Sequence, residues 1–262
     1  MFHSPWAGML LAGALLWPAS GRAAADRPLE EALSLTSKSV ELFWQQFSSI
    51  TCTEYVTQEK IGLQGKVEYK LDSVFDYLIL MSLNGDDLTV EESRLLQKSE
   101  GKSKNLPLLT TRGFPTLLLI FHPYYQADYR YQLDGDEVVG GQRLMRIRFE
   151  HIQGMRSTSA LALRGRDYAL DLKGTAWVDP ATGNIQKIVA GLQAPLDDLN
   201  LKVLNTEVTY ESQRFPDNPG QAYWLPMTAT IDVETARQRW RNVHKFADYK
   251  KFSVKSESAI SK

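Results

Sequence analysis

The sequence holds a single cysteine, Cys52, in 262 residues. No intrachain disulfide can form, so stability must come from a packed core, and a chain of this length can bury one. Cys52 itself reads as a small buried hydrophobe in a strand rather than a reactive thiol. Excess charge of either sign is also missing. Thirty Lys and Arg residues stand interspersed among 31 Asp and Glu, for a net charge of -1. There is no basic stripe to release counterions from phosphates, which excludes a nucleic-acid partner, and no basic patch for a membrane surface. Catalytic signatures are absent too: no Ser sits in a G-x-S-x-G elbow, and there is no P-loop or dinucleotide fingerprint. Histidine is scarce. Beyond the N-terminal segment only His122, His151 and His244 remain, at spacings that match no metal motif, and they read as separate structural residues. No metal and no cofactor is expected. The acidic pairs Asp86-Asp87, Glu91-Glu92 and Asp197-Asp198 each lie near a turn and read as solvated, the alternatives being a glycosidase pair or a calcium loop.

No apolar run is long enough to span a bilayer as a helix. The longest at the N-terminus, residues 7–17 (AGMLLAGALLW), has the length of a signal-peptide core. Ala23 and Ala25 after it form an A-x-A cleavage site, which predicts cleavage after Ala25. Residues 1–25 are thus expected to be a signal peptide, leaving about 237 residues, with export to the periplasm or beyond. The leading MFHSPW carries no Lys or Arg, a departure from the usual pattern that keeps a retained N-terminal anchor as the alternative. No Cys follows the apolar run to accept a lipid.

What is present is periodicity. In residues 26–49, Leu29, Leu33, Val40, Phe43, Trp44 and Phe47 share one face of a helix, with Asp26 as its cap and Pro28 in its first turn. From Thr51 the period becomes two. Val67, Tyr69, Leu71, Ser73, Phe75, Tyr77, Ile79, Met81 and Leu83 point one way, against Lys66, Glu68, Lys70, Asp72 and Asp76. This strand is expected to pair with residues 51–61 through Gly62-Leu63-Gln64-Gly65. Further alternations run through Met145, Ile147 and Phe149; through Tyr168, Leu170 and Leu172; and through Tyr223, Leu225, Met227, Ala229, Ile231 and Val233. Gly-, Asp- and Pro-rich turns separate them. The result is a mostly β chain with an antiparallel sheet, barrel or sandwich. Leu117, Leu118, Leu119, Ile120 and Phe121 are continuously apolar, and periodicity leaves a buried strand, a short helix or a covering flap all open. Residues 26–255 are expected to form one domain and 256–262 a polar tail.

The hairpin GTAWVDPATGNIQKI, residues 174–188, is built by Asp179-Pro180, which opens the turn, and Gly183, which supplies a positive φ. It resembles the strand, W-[IV]-D-x-x-T-G, strand unit of the LolA-like, lipoprotein-sorting superfamily. Val208-Thr209-Tyr210 and Tyr223-Trp224-Leu225-Pro226 resemble the strand pair that follows. The resemblance implies an unclosed, strongly curved antiparallel half-barrel with the N-terminal amphipathic helix on its concave side. It also implies a carrier that holds a lipid or an acylated protein on an apolar concave face. Burial alone, at roughly 25 cal/mol per Å², can hold an acyl chain without catalytic residues. The expected lining is Phe75, Tyr77, Ile79 and Met81 on one strand and Tyr223, Leu225, Met227, Ile231 and Val233 on another, with Leu117 to Phe121 as a movable cover. The bland alternative makes these stripes plain core. A second reading keeps the fold but fills the core, giving a module that binds another envelope protein through an exposed apolar or edge-strand patch. A third, an enzyme, would need perturbed titratable groups gathered in a cleft.

Overall fold

The computed structural model describes residues 21–62, 64–84, 87–100, 110–163 and 166–252. The expected signal-peptide core and the polar tail lie outside these residues. Helix α1 spans Gly21–Phe47. Among the described residues thirteen strands follow: β1 Ile50–Ile61, β2 Val67–Asn84, β3 Asp87–Glu100, β4 Thr110–Arg112, β5 Tyr129–Val139, β6 Gln142–His151, β7 Ala160–Leu163, β8 Arg166–Ala169, β9 Leu172–Val178, β10 Ile185–Leu192, β11 Leu201–Phe215, β12 Asn218–Thr235 and β13 Arg239–Lys251. Between β4 and β5 come a 3₁₀ helix, Leu117–Phe121, and the single-turn helix α2, Pro123–Gln126.

Ten strands form one antiparallel sheet in the order β3-β2-β1-β13-β12-β11-β10-β9-β6-β5. Its first long hairpin and its last strand meet where β1 pairs with β13. Strands β3 and β5 remain as edges, so the sheet is an unclosed half-barrel rather than a barrel. A small sheet, β4-β7-β8, stands apart. One face of the large sheet is covered by α1 and by the 3₁₀ helix, and the core lies between.

The period-two reading of residues 67–83 yields one unbroken strand, with Leu71, Ser73, Tyr77 and Ile79 buried. Three details differ from the sequence expectation. Helix α1 begins at Gly21, so Asp26 is not its cap and Pro28 lies inside it. Residues 167–173 do not make one strand. The chain leaves the small sheet after Ala169 and joins the large one at Leu172, and the crossing is pinned by Leu170 N to Ser159 O (3.0 Å) and Gln193 N to Asp171 O (2.9 Å). Both Leu170 and Leu172 are buried as a result, which an alternating pattern mimics. Finally, Met227 is the extra residue of a β-bulge: Thr209 faces Thr228 and Tyr210 faces Pro226. The stripe from Tyr223 to Val233 is therefore interrupted at its middle.

The hairpin of residues 174–188 has a structural task. Asp179 Oδ1 accepts from Ala181 N (2.7 Å) and Thr182 N (3.2 Å), and Gly183 sits at φ +75°. A Cβ on Gly183 would lie 2.4 Å from the Leu35 carbonyl oxygen. Glycine is needed there both for the turn and for the close approach of α1. One turn further on, Ser39 Oγ donates to Asn184 Oδ1 at 2.5 Å. The turn is the dock on which the covering helix rests.

Candidate functional site

The covered face divides into two regions. Over β5, β6, β9, β10 and β11 it is apolar, and the 3₁₀ helix fills it. All five residues from Leu117 to Phe121 are buried, at no more than 1% exposure. The Phe121 ring packs against Tyr131 and Phe149. Side chains tie it to the surroundings at three of its residues: the Tyr210 hydroxyl accepts from Leu118 N (3.2 Å), the Tyr131 hydroxyl donates to Ile120 O (2.5 Å), and Ser37 Oγ of α1 (3.2 Å) and Gln126 Nε2 (3.3 Å) both donate to Phe121 O.

Over β13, β1, β2 and β3 the same face turns polar. Directly paired residues of antiparallel strands project to one side, so the register assembles rows. One row runs Val208, Ala229, His244, Val56, Ser73, and the next runs Phe246, Glu54, Phe75. In this interior lies an ionic network. Arg94 Nε is 2.7 Å from Glu54 Oε2, and its Nη1 is 2.8 Å from Glu92 Oε2. His244 Nδ1 is 2.8 Å from Glu54 Oε1. Glu92 Oε1 accepts from the Tyr77 hydroxyl (3.1 Å) and from Gly113 N (2.9 Å), and the guanidinium lies over the Tyr77 ring at 4.9 Å. The Glu54 side chain is wholly buried, and those of Glu92 and Arg94 are 4% and 18% exposed.

Charges at such depth persist only when paired and hydrogen-bonded. Burial pushes the Glu54 carboxyl up, but the hydrogen bond with His244 and the charge of Arg94 outweigh it and hold its pKa below the usual carboxylate value. For Arg94, burial works against the charge and the carboxylate of Glu92 more than compensates, so its pKa is raised. Beside the network, Cys52 is pushed well above the ordinary thiol range by burial and then by the charge of Glu54. Tyr77 is raised likewise by burial, then by Glu92. The network is thus a set of paired charges flanked by a thiol and a phenol that burial keeps protonated, and within it the buried His244 Nε2 makes no hydrogen bond among the described residues.

Sequence reasoning missed this network. Glu91-Glu92 read as solvated acids near a turn, but both sit within β3, and Glu92 points into the interior. The three histidines lie apart. His244 joins Glu54, His151 bonds Asp171 (Nδ1 to Oδ1, 2.8 Å), and His122 caps α2 by accepting from Tyr124 N (3.2 Å). Of the expected lining residues, Tyr77, Ile79, Tyr223, Leu225, Ile231 and Val233 belong to the core, Met81 packs against it, and Phe75 is half-buried. Met227, displaced by its bulge, lines a cavity of about 300 Å³ together with Phe215, Phe246 and Tyr249. No helix among the described residues is long and apolar enough to cross a membrane.

No family model matches the chain, and no curated protein matches it significantly. Solved structures do. A putative outer membrane lipoprotein-sorting protein domain from Vibrio parahaemolyticus aligns with 87% of this chain and 95% of its own, at 12% identity and a TM-score of 0.41. A DUF1329 family protein from Desulfovibrio piger covers 89% and 95%, at 12% identity and 0.43. A LolA superfamily protein from Nitrosomonas europaea covers 86% and 94%, at 13% identity and 0.37. They are distant likenesses, and the architecture rests on the strand order itself.

Proposed function

We propose that the protein is an exported, non-enzymatic binding protein that takes an acyl chain, free or attached to a protein, onto the covered face of its half-barrel. The observation that carries this reading is the segment Leu117–Phe121. Five consecutive apolar side chains fill the curved sheet and belong to none of its strands. An acyl chain replacing them would bury the same kind of surface, and burial is non-directional. Gly113, at φ +78° and packed against the Thr158 carbonyl, leads into the segment, and its backbone N–H donates to Glu92 Oε1. Cleavage after Ala25 would fit as well, since it would leave Pro28 in the first turn of α1, where its missing N–H costs nothing.

A second reading has its own observation. On edge strand β3, Leu95 and Leu96 are 64% and 54% exposed, and Leu80 on neighbouring β2 is 47% exposed. An open edge flanked by apolar side chains suits a protein partner from the same envelope compartment, added as a further strand.

Native mass spectrometry of the protein purified from its exporting cell decides between them. Stoichiometric acyl lipid on the mature chain supports the first reading, and an N-terminus at Asp26 supports export with cleavage. A clean apo mass that survives incubation with lipid vesicles would sink the acyl reading and leave the edge-strand partner.

A further inference from the structure

The large sheet splits part-way along two of its strands. β12 and β13 pair from Glu234↔Arg239 to Thr228↔Lys245, and beyond that point no ladder pair joins them among the described residues. Both strands run on. β12 stays paired with β11 as far as Asn218, and β13 stays paired with β1 as far as Lys251. Each carries a bulge where they part: Met227 in β12, and Asp248-Tyr249 opposite Cys52 in β13, with Asp248 at φ +52°. A bulge bends the strand that holds it and increases its twist, so the two halves of the sheet swing apart here. The cavity of about 300 Å³ that Met227 lines fills the gap. It opens past exposed Arg214 and Asp248, half-buried Met227 and Tyr249 form its sides, and Phe246 lies at its floor.

Side chains close the split in place of a ladder. The Tyr249 hydroxyl donates to the Pro226 carbonyl, and Lys251 Nζ donates to the Tyr223 hydroxyl at 3.0 Å. The first of these bridges lies next to the tether of the 3₁₀ segment. Pro226 pairs with Tyr210 across β12 and β11, and the Tyr210 hydroxyl accepts from Leu118 N. At the floor, the Phe246 ring belongs to the core and packs on that of Tyr77 at 5.4 Å. The gap is thus continuous with the covered face.

The walls fit an alkyl chain in passage. A thioether is flexible and adapts to what it touches, and a phenol ring offers an apolar face with a polar tip. Gln213 Nε2 donates there to Met227 Sδ at 3.2 Å. A thioether is a weak acceptor, and the carboxylate or ester of an entering chain would be a better one. Parting a ladder breaks a row of backbone bonds, whereas parting this split breaks side-chain bonds that can re-form behind the guest. We infer that the split between β12 and β13 is the entrance by which an acyl chain reaches the covered face, with Tyr249 as its latch. The inference rests on the acyl-chain reading and adds the route.

The test is stopped-flow fluorescence of the full chain with cis-parinaric acid, a fluorescent fatty acid. Tyr249→Phe should raise the uptake and release rates together by about two- to tenfold, the worth of one hydrogen bond, and leave the affinity within about twofold. Met227→Trp and Ala247→Trp fill the gap from opposite strands, and each should slow uptake by about tenfold. Thermal midpoints check that the variants fold, and either plug suffices where the other fails to. An uptake rate unchanged in a folded plug variant, or rates unchanged in Tyr249→Phe, overturns the entrance and leaves the acyl-chain reading standing. No uptake by the native protein overturns that reading and the entrance with it.

Discussion

Replacing Arg94 by Met removes a guanidinium that touches two buried carboxylates and keeps most of its apolar stem. In the native protein Arg94 lies 2.7 Å from Glu54 and 2.8 Å from Glu92. The variant leaves Glu54, wholly buried, with His244 alone, and Glu92 with only the neutral donors Tyr77 and Gly113 N. Breaking a buried pair from one side costs about 3–5 kcal/mol, because the surviving charge stays desolvated. For a chain of this size that corresponds to a fall of about 6–20 °C in thermal midpoint. The pH dependence has a definite sign. The folded-state pKa of Glu54 is depressed, so the pair contributes stability that is present above the unfolded carboxylate value of about 4.3 and is lost as pH falls through the folded value. In Arg94→Met the depression shrinks, because only His244 is left to oppose the burial that raises the Glu54 pKa. The deficit relative to the native protein should therefore be largest near pH 7 and shrink toward pH 4. Urea denaturation at both pH values measures it. A deficit below about 1 kcal/mol at pH 7, in the range of an exposed pair, or one equal at the two pH values, would refute the picture of a dry, ionised network.

The remaining expectations are simpler. Gly183→Ala should cost about 1–3 kcal/mol from its positive φ, with more from the overlap against the Leu35 carbonyl. Its thermal midpoint checks this, and a value within the native error removes the hairpin as the dock of α1. Tyr210→Phe takes the acceptor from the buried Leu118 N–H and should destabilise by about 1–3 kcal/mol. Hydrogen exchange at Leu118 should quicken, and unchanged protection there would mean the cover is held by packing alone. Cys52, buried and with its pKa raised, should resist a thiol reagent in the native protein and react fully in denaturant. Rapid native labelling would show that β1 opens far more readily than its position between β2 and β13 suggests.

Much of the half-barrel was legible because strands with one buried face alternate by two. The long strand Val67–Asn84, its pairing with β1, the helix before it and the hairpin at Asp179-Pro180 all carry that pattern or a turn residue with a steric reason. Where the pattern failed, packing had overruled it. Leu170 and Leu172 keep the alternation but lie on either side of a crossing between sheets, and Met227 keeps it across a bulge that breaks the face. Leu117 to Phe121 had no period, and a segment buried on all sides needs none.

The candidate sites were hidden for a different reason. Glu54, Glu92, Arg94 and His244 come from three strands far apart in the chain, and each alone has the look of an ordinary surface residue. Nothing local distinguishes the inward Glu92 from the outward Glu91 beside it. The sequence by itself determined the period, the turns and the lack of disulfides, because these depend on neighbours a few residues apart. The tertiary structure alone decided which charged side chains face inward and meet there. Strand order places β1 between β2 and β13, and this is what brings a carboxylate, a guanidinium and an imidazole into one dry interior.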